Sequence, residues 1–303
     1  MEYVLQTDGL TKCYRGFRAL DGLAMHVPKG SIYGIVGKNG AGKTTLIRLI
    51  CGMQTPTSGS FELCGISNDS KDIVNARRRM GAIIETPALY ANMTAEQNLK
   101  QQALILGLSS FDGIPELLKL AGLENTGRKK VKNFSLGMKQ RLGIAMALVC
   151  DPVFLVLDEP VNGLDPQGIV EMREMLLKLN CEKQLTILVS SHILDELSRL
   201  ATFYGFIDRG RMVKEMSAEE VNAACRKCVR MEVSDTNVLS RVLNGLRLEY
   251  RIVSESLADV YAQVNVTQLV LALAREGCEV LSIEERDENL QTYFISLVGG
   301  GES

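Results

Sequence analysis

Two hydrophobic rhythms alternate along the chain. Near the start, EYVLQTDGL reads as a short strand, and LAMHV alternates apolar and other positions as a half-buried strand does. Further on, the runs SIYGIVG, VFLVLDE and TILVSS have few polar positions, as strands covered on both faces do. Between and after them, GIVEMREMLLKLN and HILDELSRLA carry the three-to-four spacing of helices, and FYGFID and RMVKEM read as further strands. Short apolar strands alternating with helices predict an α/β fold with a parallel sheet. Residues 86–150 read differently, as TAEQNLKQQALILGL, IPELLKLAGL and a helix from about Ser135 through LGMKQRLGIAMALV, which predicts a helical insertion.

From about Ser217 the pattern changes again. A strand (CVRMEVS), a helix (NVLSRVLNGL), two strands (EYRIVSE and LADVYAQV), a helix (TQLVLALAREG), a strand (CEVLSIEE) and a helix (LQTYFISLV) give the order βαββαβα. That order suggests a small ferredoxin-like α+β unit. Charge supports a boundary there: residues 217–303 hold 14 acidic and 8 basic residues, net −6, which leaves about +4 on residues 1–216 of a chain whose net charge is −2. The domains read from the sequence are therefore 1–216 and 217–303. With so little net charge, no global field draws the chain to nucleic acid or an anionic membrane, and an anion must be held locally. No apolar run approaches the 18 or so residues of a spanning helix. The start, MEYVLQTDGL, lacks the basic and apolar regions of a signal peptide. The 8 cysteines are scattered, which fits reduced thiols in the cytoplasm, and Cys225-x-x-Cys228 has no second pair to complete a metal site.

The chemistry concentrates after the third strand. Gly37-Lys38-Asn39-Gly40-Ala41-Gly42-Lys43-Thr44, followed by Thr45, fits G-x-x-x-x-G-K-[ST] at every fixed position. The glycines let backbone N–H groups wrap a phosphate, Lys43 reaches its oxygens, and the Thr44 hydroxyl is a hard ligand for Mg²⁺. The helix that starts near Lys43 adds its N–H groups and dipole. Asp158 and Glu159 end an otherwise apolar strand, where charge is costly unless it faces a site. Asp158 suits the Mg²⁺ shell, and Glu159 suits orienting and deprotonating a water.

On these residues the chain resembles the ATP-binding cassette (ABC) family of transporter ATPase subunits over nearly all of residues 3–216. Phe134-Ser135-Leu136-Gly137-Met138 is similar to the family signature LSGGQ, and its serine precedes Asp158 by 23 residues. Asn162-Gly163-Leu164-Asp165 resembles the D-loop, and His192 the switch histidine. Tyr14 matches the aromatic residue that stacks on adenine. The Ile-Glu-Thr-Pro run at Glu85 resembles the bacitracin-resistance and lantibiotic-immunity branch. Two positions depart from the family pattern: Glu85 stands where a glutamine is usual, and Leu136 where the signature has its first glycine.

The resemblance implies the P-loop cassette fold, with a mixed sheet core and a helical subdomain, and ATP with Mg²⁺ as cofactors. It implies Glu159 and His192 as catalytic residues. ATP contacts come from Tyr14, Gly37 to Thr45, Ser135, Gly137 and Asp165, and metal contacts from Thr44, Glu85 and Asp158. The implied partners are a second copy, whose signature closes on ATP, and separate membrane-spanning permease subunits that hold the chain at the inner face of the membrane. The implied function is to power export of a drug or antimicrobial peptide. A regulatory cassette with little turnover, or a soluble cassette ATPase outside transport, are the alternatives. The second domain is either an accessory or regulatory unit or simple packing.

Overall fold

The computed structural model describes residues 2–225, 228–261, 266–286 and 290–299, which divide into two compact units, Met1–Ala218 and Glu219–Ser303. The first unit opens on a long hairpin, β1 (Tyr3–Tyr14) and β2 (Phe17–Pro28), whose turn Arg15-Gly16 has positive φ at both residues. There follow β3 (Ile32–Val36), α1 (Lys43–Ile50), β4 (Ser58–Leu63), β5 (Ile66–Ser67), α2 (Ile73–Arg78) and β6 (Met80–Ile83). The helical part holds α3 (Ala95–Ile105), α4 (Ile114–Leu120) and α5 (Leu136–Ala147). The chain then returns to the sheet with β7 (Phe154–Asp158), α6 (Pro166–Lys183), β8 (Thr186–Ser191), α7 (Leu194–Ser198), β9 (Phe203–Asp208) and β10 (Arg211–Ser217).

Among the described residues these strands form two sheets. The main one has the order β10-β9-β3-β8-β7-β6 and is parallel except for β10 at one edge. Every residue of β3, β7 and β8 is buried, as their unbroken apolar runs require. The second sheet, β2-β1-β4-β5, is antiparallel. Its inward side chains, including Leu5, Leu23, Met25 and Phe61, join Ile35, Val156 and Leu188 of the main sheet in one core around α1. Burying a leucine-sized side chain contributes about 1.5–3 kcal/mol, so this core fixes the helix on which the glycine-rich loop ends.

A polar clasp ties β10 into that core. The hydroxyl of Tyr33, fully buried on β3, donates to Glu215 Oε1 at 2.5 Å, and His26 on β2 meets the same carboxylate through its backbone N–H and Nδ1, both at 2.8 Å. Burial and the neighbouring carboxylate push the Tyr33 phenol well above its usual range, so it stays a donor. Tyr33 fits because position 205 has no side chain: a Cβ there would lie 2.3 Å from the phenolic oxygen.

The second unit contains α8 (Ala218–Ala224), β11 (Cys228–Val233), α9 (Thr236–Gly245), β12 (Tyr250–Ile252), β13 (Leu257–Val260), α10 (Val266–Arg275), β14 (Val280–Arg286) and α11 (Leu290–Gly299). Its strands pair antiparallel in the order β12-β13-β11-β14. Met231, Val233, Leu239, Leu243, Leu269 and Leu273 make its own core. The strand expected in LADVYAQV ends at Val260, and positions 262–264 of that run lie outside the described residues. No described helix is long and apolar enough to cross a membrane.

Gly205→Ala is expected to lower the melting temperature by roughly 3–10 °C, since overpacking costs about 1–3 kcal/mol. Thermal unfolding followed by circular dichroism measures it, and an unchanged midpoint would show that Tyr33 can move aside freely.

Candidate active site

Strands β3, β8 and β7 are neighbours and run parallel, so their carboxyl ends share one edge of the main sheet. Each ends in polar residues: the glycine-rich loop after β3, Ser190, Ser191 and His192 at β8, and Asp158 and Glu159 at β7. The topology alone therefore gathers three segments far apart in sequence.

The loop is shaped by what cannot fit. Gly42 has φ 110°, and a Cβ there would stand 2.6 Å from the Ala19 carbonyl oxygen, so no other residue closes this turn without moving the hairpin. Lys38, Asn39 and Gly40 form an exposed crest, while Gly37 and Ala41 are buried beneath it. Lys43 is folded back inside the loop with a relative exposure of 6%. Its Nζ donates to Gly37 O at 2.7 Å and lies 3.4 Å from both Lys38 O and Glu159 Oε1.

The neighbouring hydroxyl, Thr44 Oγ1, donates to Asp158 Oδ2 at 2.9 Å. Ser190 occupies the centre of the arrangement: its hydroxyl donates to Asp158 Oδ1 at 2.6 Å and accepts the Glu159 N–H at 2.9 Å. Asp158, at 2% exposure, thus has both oxygens engaged. Glu159 has φ 52°, a left-handed conformation costing about 1–2 kcal/mol outside glycine. Its Oε2 lies 2.7 Å from His192 Nδ1 and also accepts the His192 backbone N–H at 3.3 Å.

This set fits a nucleotide phosphate and Mg²⁺. The threonine hydroxyl and aspartate are hard oxygen donors already in contact, and an ammonium sits in a backbone cradle at a helix N-terminus. Among the described residues no group of three or more His, Cys, Asp or Glu gathers as a self-sufficient metal centre. A cation here would need oxygens from its ligand as well.

The ABC transporter family profile matches residues 20–162. Over 306 aligned residues the chain is 39% identical to the bacitracin transport ATP-binding protein BcrA of Enterococcus faecalis, covering 99% of this chain and 98% of that one. It is 44% identical over 212 residues to the lantibiotic transport ATP-binding protein SrtF of Streptococcus pyogenes, covering 70% of this chain and 90% of that one. Among solved structures, the dimeric post-hydrolysis state of the ATP-binding cassette MJ0796, bound to ADP and Pi, matches with a TM-score of 0.64 at 26% identity over 71% of this chain and 98% of that one. The chain belongs to the ABC transporter ATP-binding family.

In this cassette the remaining residues singled out from the sequence lie in other places. Ser135 caps α5 by accepting the Met138 N–H at 3.2 Å, and Asp165 caps α6 by accepting the Gly168 N–H at 3.1 Å. These two caps belong to a second cluster, in which Gly137 faces Leu164 and Gly168. Among the described residues no hydrogen bond or ion pair joins it to the phosphate loop. Tyr14, half in solvent, bonds Gln54 through its hydroxyl, and Lys12 Nζ lies 5.3 Å from its ring centroid.

Among the described residues Glu85 makes no hydrogen bond or ion pair with Thr44 or Asp158. It is exposed, has φ 62°, and pairs with Arg48 Nη2 at 2.5 Å in the last turn of α1. Beside it, a groove of about 440 Å³ runs between sheet and helical insertion, lined by Ile84, Thr86, Pro87, Ala88, Gly143 and Met146 among others.

Ser190 is the functional residue that motif reading missed. Its signal was present, because two serines closing the apolar run TILV pose the same question as Asp158 closing its own. Arg48 as the partner of Glu85 had no sequence signal.

Ser190→Ala removes a donor to Asp158 and an acceptor for Glu159 N–H, and is expected to cut ATP hydrolysis by roughly ten-fold with nucleotide affinity within about two-fold. Phosphate release and nucleotide titration separate the two effects. Cys51, at the end of α1 on the groove, has its thiol pushed up to about 12, chiefly by burial. At pH 8 only about one in 10⁴ molecules would be the reactive thiolate. Iodoacetamide at that pH should label exposed Cys150 and Cys181 and spare Cys51 until the chain is unfolded, as read by mass mapping.

Proposed function

We propose that this chain is the ATP-hydrolysing subunit of a membrane transporter that exports an antimicrobial peptide or drug. The observation that carries the reading is the linked set Lys43, Thr44, Asp158, Glu159 and His192 at one sheet edge, in a chain that aligns end to end with a bacitracin transport ATP-binding protein.

ATP with Mg²⁺, when bound, supplies the phosphoanhydride and the charge that screens its oxygens. Lys43 would give up its loop carbonyls for phosphate oxygens, and Thr44 and Asp158 would hold the metal. Glu159 accepts the proton of the attacking water, and His192 keeps that carboxylate in one orientation. The crest Lys38-Asn39-Gly40 offers backbone N–H groups to the phosphates, and Ala41, Gly42 and Thr45 complete the wall. Tyr14 gives adenine a stacking face once Lys12 yields it. Glu85 would serve the metal only after Arg48 releases it.

Ser135, Gly137 and Asp165 act on the nucleotide of a second copy, so two chains close two composite sites and ATP binds them together. The absence of a spanning helix among the described residues supports separate permease subunits. The groove beside Glu85 to Tyr90 receives the permease, which holds the chain on the cytoplasmic face of the membrane. The unit after Ala218 is an accessory to this engine.

Glu159→Gln is expected to reduce phosphate release by about a hundred-fold or more and to trap an ATP-dependent dimer. Gel filtration in saturating Mg-ATP that shows only monomer would remove the main support for composite sites, and a wild-type chain with no turnover would favour the regulatory reading. Replacing Ala88, Leu89 and Tyr90 together is expected to abolish co-purification with the membrane subunits. Intact assembly would place the docking surface elsewhere.

A further inference from the structure

Leu136 stands where the family signature has a glycine, and its side chain is 45% exposed at the first position of α5. It is exposed, yet it approaches the D-loop. Its Cδ2 lies 3.2 Å from the place a Cβ on Gly163 would take, in the D-loop of the same chain. Gly163 has φ +75°, so the D-loop is glycine-dependent there for backbone reasons too. Next to this contact, the Cβ side of Gly137 meets Leu164 at 3.8 Å and Gly168 at 4.0 Å.

Further along α5, Arg141 pairs with Glu171 on α6 while its Nε donates to Ala121 O at 2.9 Å. Two residues on, Arg173 pairs with Glu196 on α7 at 3.2 Å, in the helix that follows His192. The signature helix, the D-loop helix and the helix behind the switch histidine are thus joined in series by side-chain contacts.

We propose that Leu136 is a positioning residue that fastens the signature to the D-loop of its own chain, and that Gly163 is the position that makes room for it. This rests on the composite-site reading above. A glycine at 136 would remove the side chain that reaches Gly163 and leave the Leu164 packing and the Arg141–Glu171 pair as the remaining links. With the leucine seated, a displacement of Ser135 as it meets the partner's phosphate carries Asp165 along, and α6 passes it to α7. The residue therefore acts on turnover and not on capture of ATP.

The test is steady-state phosphate release by the full chain against ATP concentration, for the series Leu136→Met, Leu136→Ala and Leu136→Gly, and for Gly163→Ala alone and combined with Leu136→Gly. In the series kcat should fall as the side chain loses reach, the methionine variant within about two-fold of wild type and the glycine variant lower by roughly ten-fold, with KM held within about two-fold. The methyl group added by Gly163→Ala crowds Leu136, so the double variant should lose at least about three-fold less than the product of the two single losses. Backbone strain at φ +75° is independent of residue 136 and gives no such rescue. A flat kcat across the 136 series, a change in KM with kcat intact, or multiplying losses in the double variant would each overturn the proposal. If Gly163→Ala fails to fold, shown by its melting curve, the 136 series decides alone. An inactive wild type, by contrast, would sink the composite ATPase reading itself.

Discussion

A lysine ammonium at 6% exposure remains charged only if acceptors surround it, and for Lys43 these are two carbonyls of its own loop and the Glu159 carboxylate. Leaving such a charge unmatched costs several kcal/mol. The cost of the match is architectural: the loop must curl so that Gly37 O and Lys38 O point inward, which fixes β3 behind it and requires a left-handed Gly42 under the Ala19 carbonyl. The same curl gathers the loop around the Lys43 ammonium.

The rest of the catalytic edge follows from the order of the strands. With β8 between β3 and β7, the polar end of β8 lies between the lysine loop and the acidic pair, and Ser190 holds Asp158 and the strained Glu159 backbone together. The signature and D-loop are built on helices outside this edge and braced to one another. On the reading proposed above, one chain contributes two half-sites of different character: a glycine-rich loop set at the sheet edge, and a paired loop system on packed helices.

What the sequence made legible depends on how local the constraint is. The phosphate loop was readable because its residue types are dictated by its own backbone, within one short consecutive run. The buried strands were readable because both faces are covered, so that polar residues are confined to their ends. The hairpin β4–β5 and helix α2 were not, since Ser58 to Arg78 is short, half-exposed and lacks periodicity. Glu85 shows the other limit. Its type and position in the chain suggested a metal ligand, but where its carboxylate sits is decided by Arg48, 37 residues away, which no spacing rule connects to it. Likewise Leu136 is legible in the sequence only as a departure from the signature, and its neighbour Gly163 is seen only in the fold.

The clasp of Tyr33, His26 and Glu215 has a practical meaning for where the catalytic unit ends. β10 is an edge strand with few buried positions and looks dispensable. Yet its Glu215 is the acceptor for a phenol sealed beneath the strand that carries the phosphate loop. A shortened version of the chain that stopped at β9 would leave that hydroxyl in the core with nothing to bond, and the flaw would lie on the very strand that leads to Lys43. The minimal cassette therefore runs through Ser217, and its last strand is part of the foundation of its first motif.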